Sequence, residues 1–151
     1  MESKILIREY KEQDKAQVLS VLRLNTPKYF STEEEKDLDN YLEHEREEYF
    51  VLEVKREIVG SGGINFADNK TIGKLSWDFL HPDFQGQGLG TLLLQHRINI
   101  LKNNKDIKRI MVRTSQLAYK FYEKSGFTLK EQAKDYWAKG FDLYSMEYTK
   151  K

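Results

Sequence analysis

The sequence predicts an α/β (α+β) fold in which helices cover both faces of a central mixed sheet. Alternating apolar residues indicate strands and apolar residues at helical spacing indicate helices, in the order βααβββαβαββ. Strands interrupted by helices in this order are typical of one sheet that is covered on both sides. The length of 151 residues suits a single domain, residues 1–151, with a substantial core.

The first half of the chain supplies four predicted strands and two predicted helices. Helical spacing predicts a helix over residues 13–24 and another that begins at the capping box Ser31-Thr32-Glu33-Glu34. The acidic run from Glu33 to Glu35 is favourable in a first helical turn and needs no ligand to explain it. Alternation predicts strands over 4–8, 49–54, 58–66 and 72–80. In the last strand it places Leu75, Trp77 and Phe79 on one face and Ser76, Asp78 and Leu80 on the other.

The second half begins with a predicted helix over residues 89–103. The apolar stripe of this helix is predicted to be Leu89, Leu92, Leu93, His96 and Ile100. A strand over 107–112 follows, and Ser115 is predicted to cap a fourth helix that Gly126 ends. The last elements are a strand over 127–131, a loop over 135–140 and a strand over 141–148.

Three glycines at alternate positions, Gly86, Gly88 and Gly90, separate the fourth strand from the third helix. Glycine suits loops that need positive φ or the close approach of a ligand to the backbone. A strand, a glycine-rich turn and a helix start leave several N–H groups unpaired at one place, where the helix dipole adds positive charge. The stretch therefore predicts an anion site, of the kind that most often binds phosphate.

Two familiar phosphate-binding motifs fit this loop poorly. A P-loop requires Lys and then Ser or Thr after its last glycine, whereas Leu89 follows Gly88 and Thr91 follows Gly90. A dinucleotide-binding loop requires the spacing G-x-G-x-x-G and an acidic residue on the next strand. The spacing here is G-x-G-x-G, and residues 108–114 contain no carboxylate.

The form Gln85-Gly86-Gln87-Gly88-Leu89-Gly90 resembles the acyl-CoA pyrophosphate loop of the GNAT superfamily of N-acetyltransferases. A second segment, residues 115–127, is similar to the GNAT helix that ends in Tyr-Glu-Lys-x-Gly-Phe. The resemblance extends in order over nearly the whole chain. It implies a mixed, mostly antiparallel sheet of about seven strands, in which strands four and five splay apart and acetyl-CoA lies in the splay.

The resemblance also implies which residues contact the cofactor. The amide groups of the pantetheine arm would pair with the backbone of Phe79, Leu80 and His81, and the pyrophosphate would lie on the amides of residues 85–91. The implied cofactor-binding residues are Phe79, Leu80, His81, Gln85, Gly86, Gln87, Gly88, Leu89, Gly90, Thr91, Ser115 and Tyr119. Many GNATs have Asn where Ser115 stands, and Ser keeps the capacity to hydrogen-bond.

Acetyl transfer from a thioester to an amine requires a neutral amine, a polarised carbonyl and a protonated leaving thiolate. An amine with a pKa of about 10 is mostly charged at neutral pH, so a base or a water relay is needed. The resemblance assigns the acid to Tyr122, and the Leu80 N–H would polarise the carbonyl. Asp78, His81 and a water relay without a single base all stay open as routes for the amine proton. Because His81 precedes Pro82 in a turn, a local structural role is favoured for it.

The acceptor is expected to meet the first two helices and the loop before the last strand. An aromatic wall that could hold an ammonium by cation–π contact is predicted from Tyr29, Phe30, Trp77, Tyr136 and Trp137. The expected reaction is direct attack by a small-molecule or amino-acid-like primary amine in a ternary complex. GNATs that modify ribosomal-protein N-termini often carry a Glu on the fifth strand, and residues 109–113 lack one. The alternatives are a protein or peptide acetyltransferase and a regulatory acyl-CoA-binding module without catalysis.

Composition narrows the remaining possibilities. Lys and Arg number 25 against 24 Asp and Glu, for a net charge of +1, which favours neither nucleic acid nor an anionic membrane as a partner. With no Cys, disulfides, zinc thiolates and a thiol nucleophile are excluded, and no metal is expected. No signal peptide or membrane-spanning run is visible, so a cytoplasmic monomer or homodimer is expected.

Overall fold

The computed structural model describes residues 4–150, which form one seven-stranded sheet with four α-helices. The strands are β1 (Ile5–Glu9), β2 (Glu48–Val54), β3 (Glu57–Ala67), β4 (Ile72–Leu80), β5 (Arg109–Thr114), β6 (Phe127–Ala138) and β7 (Phe141–Tyr148). The helices are α1 (Lys15–Leu24), α2 (Glu34–His44), α3 (Leu89–Lys102) and α4 (Tyr119–Lys124). This order confirms the predicted βααβββαβαββ sequence of elements.

The sheet is mixed and mostly antiparallel, as predicted. Its strand order is β1-β2-β3-β4-β5-β7-β6, and only the β4–β5 pair is parallel. The helices cover both faces, because Val51 of β2 packs with α1 and α2 whereas the adjacent Phe50 packs with α3. No helix within residues 4–150 is long and apolar enough to cross a membrane.

The helix α3 buries a different stripe from the one predicted. Its buried residues are Leu89, Leu93, Leu94, Arg97, Ile98 and Leu101. The predicted Leu92 is 45% exposed, and Ile100 is only partly buried. Leu89 and Leu93 are buried as predicted, but the buried face continues through Leu94, Arg97, Ile98 and Leu101 and not through Leu92 and Ile100, so the predicted stripe was wrong in part. His96 is a packed helix residue, as expected, with its ring edge-on to Phe50.

The alternation predicted for β4 fails at a bulge. Ser61 pairs with Phe79 and Gly63 pairs with Ser76, so Trp77 and Asp78 together stand opposite Gly62. Trp77 has a φ of 49°, a left-handed conformation that reverses the side-chain alternation locally. Leu75 consequently packs with α3, whereas Trp77 and Phe79 pack with α1 and α2. The predicted common face for these three residues was therefore wrong.

Two local predictions around the second GNAT-like segment were also wrong. The cap of α4 is Ala118, because the Ser115 hydroxyl accepts the Leu117 N–H in a turn that precedes the helix. The predicted loop over residues 135–140 mostly continues β6, which is irregular between Ala133 and Ala138 and reaches β7 by a short turn. The strand is irregular here, since Asp135 has a φ of 53° and the register with β7 shifts between Ala133 and Ala138, and such an irregularity leaves no regular alternation in the sequence.

Candidate active site

The strands β4 and β5 separate beyond a short parallel ladder. Their pairing joins residues 72–75 to residues 109–112. Beyond it β4 stays paired with β3 as far as Leu80, whereas β5 pairs with β7 as far as Thr114. The β5-facing edge of β4 is therefore open from Ser76 to Leu80. A cavity of about 960 Å³ occupies this splay and extends under α2.

One wall of the cavity is the loop that leads into α3. Within the part of the chain that the structure describes, the amide N–H groups of residues 86–91 donate no hydrogen bond, and the ladder of α3 begins with Leu92 N–H donating to the Gly88 carbonyl at 3.0 Å. Gly86 and Gly88 have φ values of 78° and 82°, which glycine adopts without strain. The loop therefore presents a row of free donors at the positive end of a helix dipole.

The open edge of β4 supplies further backbone groups. His81 N–H donates to the Val59 carbonyl at 2.6 Å, toward β3. Because hydrogen-bonding directions alternate along a strand, the groups of Leu80 face the splay. The Leu80 carbonyl accepts the Asn25 Nδ2 at 3.0 Å and the Gln85 Nε2 at 3.4 Å. The Gln85 side chain thus braces the loop against β4 and α1, and the Leu80 N–H points into the splay.

A buried charged cluster forms the floor of the cavity. Asp78 Oδ2 accepts a hydrogen bond from Arg97 Nη2 at 2.9 Å and another from the Tyr122 hydroxyl. The Arg97 side chain, which comes from the middle of α3, also donates to the carbonyls of Gly63 and Leu93. Asp78 and Tyr122, which are separated by 44 residues in sequence, are therefore in direct contact.

Local backbone features bring this cluster together. The bulge at Trp77 turns Asp78 toward α3, and the Tyr49 hydroxyl holds the bulge by donating to the Trp77 carbonyl at 2.8 Å. Gly62 leaves the room, since a Cβ there would lie 2.8 Å from Asp78 Cβ and 2.9 Å from Arg97 Cζ. The close approach of the guanidinium to the sheet therefore requires glycine at this position.

The electrostatics of the cluster keep Tyr122 protonated. Burial raises the pKa of the Tyr122 phenol well above its ordinary value, and the negative charge of Asp78 raises it further. Arg97 is fully buried and compensates the charge of Asp78. The cluster therefore holds a carboxyl group paired with a guanidinium, beside a neutral phenol, at the point where β4 and β5 part.

The predicted cofactor-binding residues divide according to whether they line the cavity. Those on its wall are Phe79, Leu80, Gln85, Gly86, Gly88, Gly90, Thr91 and Ser115. The side chains of four others point elsewhere: His81 accepts the Asp83 N–H, Gln87 donates to the Asp83 carbonyl, Leu89 packs among apolar residues, and Tyr119 packs on Tyr144. Gln87 and Leu89 still contribute N–H groups to the row of residues 86–91, whereas Tyr119 is turned away from the splay.

The predicted acceptor residues divide in the same way. Tyr29, Phe30, Trp77 and Trp137 line the cavity, with the rings of Phe30 and Trp77 stacked at 6.3 Å. Tyr136 lies outside the lining and is 49% exposed. Its ring packs edge-on against Trp137, with 5.0 Å between the ring centroids. The Arg113 guanidinium lies over both the Tyr136 and Trp137 rings.

Several residues of the site were missed at the level of sequence. Arg97 could have been noticed, because Leu89, Leu93, Arg97 and Leu101 form an i, i+4 row in which a single charge interrupts apolar residues. Asn25, which is buried and ties the end of α1 to Leu80, carries no comparable signal. Its role depends on two chain segments that only the fold brings together.

Comparison with known proteins assigns the fold to a family. The model of the acetyltransferase (GNAT) domain matches residues 8–150 of the chain. Among curated proteins, no sequence matches this chain significantly. Since the family model covers nearly the whole sequence, the chain belongs to the GNAT acetyltransferase family and is an N-acetyltransferase.

Solved structures share the fold at low sequence identity. An acetyltransferase of the GNAT family from Streptococcus pneumoniae superposes with a TM-score of 0.72 at 22% identity, over 95% of this chain and 98% of its own. The ribosomal-protein-S18-alanine N-acetyltransferase from Escherichia coli gives 0.79 at 20% identity, over 95% and 92%. An aminoglycoside 6'-N-acetyltransferase complexed with coenzyme A gives 0.75 at 16% identity, over 94% and 95%. At these identities the likeness concerns the fold.

Proposed function

We propose that this protein transfers the acetyl group of acetyl-CoA to the primary amine of a small-molecule or amino-acid-like acceptor, by direct attack in a ternary complex. The observation that carries the proposal is the row of free amides at residues 86–91, which shares one cavity with Asp78 and Tyr122. A single cavity would thus hold both a site for the diphosphate of acetyl-CoA and a cluster that can transfer protons, and the reaction needs both.

The residues of the cofactor half fit acetyl-CoA. The amides of residues 86–91 would hold the diphosphate. The space beside the loop is open, because a Cβ at Gly86 or Gly88 would have nothing within 4 Å. The open edge of β4 offers the Leu80 N–H to amide or carbonyl groups of the pantetheine arm. A Cβ at Gly90 would lie 3.5 Å from the Phe121 ring, so α4 borders the cleft on the side opposite β4.

Acetyl-CoA, when bound, supplies an acetyl group already activated as a thioester. Tyr122 holds a proton at its hydroxyl oxygen, and its raised pKa keeps that proton in place until a more basic group is beside it. A thiolate with a pKa of about 8.5 in solution is less basic than this phenolate. To take the proton from Tyr122, the thiolate must be more basic than it is in solution. A poorly solvated thiolate is more basic, and the buried position of the phenol favours poor solvation of the sulfur beside it.

We assign the amine proton to Asp78 in preference to His81. Asp78 lines the cavity; its Oδ2 is engaged by Arg97 and Tyr122, whereas Oδ1 accepts no hydrogen bond from any residue between 4 and 150. His81 uses Nδ1 to accept the Asp83 N–H at 3.1 Å and lies outside the lining. An ordinary Asp is a weak base for an ammonium, so a water between the amine and Oδ1 is part of the proposal.

A small acceptor is favoured by what lines the acceptor half. Its wall is made of side chains from the α1–α2 connection and from β4, together with Trp137 of β6. Phe30 also contacts Phe79 edge-on at 5.9 Å, so this connection is packed onto β4. Aromatic rings of this kind suit an ammonium group, which cation–π contact would stabilise by about 0.5–2 kcal/mol.

The test is release of the free thiol from acetyl-CoA in the presence of a panel of small amines. The variant Tyr122→Phe should lower kcat by about a hundredfold and leave the dissociation constant for coenzyme A unchanged. Tyr10→Phe is the matched control, because Tyr10 is equally buried but lies outside the cavity. Unchanged turnover in Tyr122→Phe would remove the phenol from the mechanism. Coenzyme A binding without thiol release from any amine would instead favour a regulatory binding module.

A further inference from the structure

The acidic residues of α2 fall into two groups that differ in their partners. Glu35, Asp39 and Glu43, at i, i+4 and i+8, face α1 and its cations. Arg23 Nε lies 2.8 Å from Glu35 Oε1, and Lys15 Nζ contacts Asp39 and lies 2.7 Å from Glu43 Oε1. Every carboxylate on this row is therefore paired.

The carboxylates on the cavity side of α2 lack such partners. Glu34 and Asp37 line the cavity, and no Lys, Arg or His of residues 4–150 lies within ion-pair distance of either. Glu34 is only 9% exposed. Burial raises the pKa of its carboxyl group, and the nearby charge of Asp37 raises it further. Glu34 and Asp37 are thus two acidic side chains of the cavity wall that form no ion pair with residues 4–150.

Helix capping accounts for only part of this arrangement. Glu34 Oε2 accepts the Ser31 N–H at 2.7 Å, which satisfies one donor at the start of α2. Glu34 Oε1 accepts no hydrogen bond from the described residues, and Asp37 has no role in the cap. Capping therefore explains one oxygen of Glu34 and leaves the other, together with the solvent-exposed Asp37, without a hydrogen-bond donor among the described residues.

None of the cations that line the same cavity forms an ion pair with Glu34 or Asp37, and the two arginines among them have other partners. Arg97 is bonded to Asp78, and the Arg113 guanidinium lies over the Tyr136 and Trp137 rings. Lys74 lies in the part of β4 that pairs with Asn65, before the bulge. Beside the acids stand the Tyr29, Phe30 and Trp77 rings of the proposed acceptor half, and both kinds of group attract ammonium.

We propose that the acceptor carries a second cationic group, which Glu34 binds with support from Asp37 while the reacting amine approaches Asp78. The acceptor class is then a diamine, or an amine that also carries a guanidinium. This inference rests on the proposed function, since it names the substrate class of the same cavity. Glu34 and Asp37 are the specificity-determining residues of this subsite.

The experiment compares two amines that differ only in the second cation, 1,4-diaminobutane and 1-aminobutane. Calorimetry measures the binding of each to the protein–coenzyme A complex, and thiol release from acetyl-CoA measures kcat/KM for each. We expect the diamine to bind about tenfold more tightly, as a charge-assisted hydrogen bond allows. Glu34→Gln, which keeps the capping oxygen and removes the charge, should abolish that preference. Glu35→Gln, on the paired row, should preserve it.

The outcomes separate this inference from the function on which it rests. Equal affinity for the two amines in the unaltered protein would overturn the subsite. Equal weakening of both amines in Glu34→Gln would also overturn it, because a purely structural role would have that effect. Selective diamine binding without thiol release would support the cation subsite and contradict the acetyl-transfer function. Selective binding together with diamine-dependent release would support both.

Discussion

The two halves of the cavity are built from different kinds of group. The cofactor half consists largely of main-chain donors from one continuous segment, residues 86–91, and from the open edge of β4. The acceptor half consists of side chains from the α1–α2 connection, α2, β4 and β6, which are far apart in sequence. One half therefore depends on backbone conformation, and the other depends on residue identity.

Under the proposed roles of the two halves, this difference lets the acceptor side vary while the cofactor side is kept. Backbone N–H groups at a helix start bind diphosphate whatever side chains surround them, provided that glycine permits the loop conformation. The acceptor wall has no such constraint, because each aromatic or acidic side chain can change without disturbing the loop into α3. The Asp78, Arg97 and Tyr122 cluster joins the two halves and should respond most strongly to substitution.

The largest expected effect is that of Arg97→Met on stability. The substitution removes the cation that compensates Asp78, whose side chain is 14% exposed, and leaves a carboxylate in a largely buried position. Removal of one partner from a buried ion pair typically costs about 3–5 kcal/mol. The free energy of unfolding, measured by urea titration, should fall by that amount.

The double variant Asp78→Asn/Arg97→Met provides the control for this prediction. Removal of both charges eliminates the uncompensated carboxylate, so the double variant should be more stable than Arg97→Met alone. If the double variant lost as much stability as Asp78→Asn and Arg97→Met lose in sum, the direct pairing of Arg97 with Asp78 would be contradicted.

An intermediate effect is expected for Gly88→Ala, which probes the cofactor half alone. A residue with a Cβ is strained by about 1–2 kcal/mol at positive φ, and relief of that strain would turn the amides at the start of α3 away from a common point. Coenzyme A affinity, measured by calorimetry, should fall about tenfold. The kcat/KM for the amine should fall by no more than the same factor of about ten.

Gly140→Ala is a close match for comparison. Gly140 has a φ of 84°, against 82° for Gly88, and both have open space on the side where a Cβ would lie. The two variants should therefore lose similar stability, but Gly140→Ala should bind coenzyme A normally. Equal losses of coenzyme A affinity in both would show that strain in general, and not the loop amides, controls binding.

The smallest expected effect belongs to the acceptor half. Phe30→Leu removes the ring that stacks on Trp77, and such aromatic pairs contribute about 0.5–1.5 kcal/mol. The KM for the amine should rise about fivefold, while coenzyme A affinity should be unchanged. Phe66→Leu, at a partly buried ring outside the cavity, should alter neither quantity. A matching loss of coenzyme A affinity in Phe30→Leu would show that the two halves are coupled.

The elements of the fold were largely predictable because each has a local cause. The tight turn between β2 and β3 occurs at Lys55 and Arg56, both with positive φ, between two runs rich in β-branched residues. Gly126 follows α4 with a φ of 108°, as a helix C-terminus predicts. The bulge at Trp77 was not predictable from alternation, because it depends on the pairing of β4 with the glycines of β3.

The sequence by itself determined the order of the elements and the loop that precedes α3, because hydrophobic periodicity and glycine positions act over a few residues. Only the tertiary structure decided that Arg97 pairs with Asp78, that Tyr122 donates to the same carboxylate, and that Glu34 faces the cavity. These contacts join segments separated by many residues. Their existence depends on strand register, on one bulge and on the space left at Gly62, none of which is encoded in a local pattern.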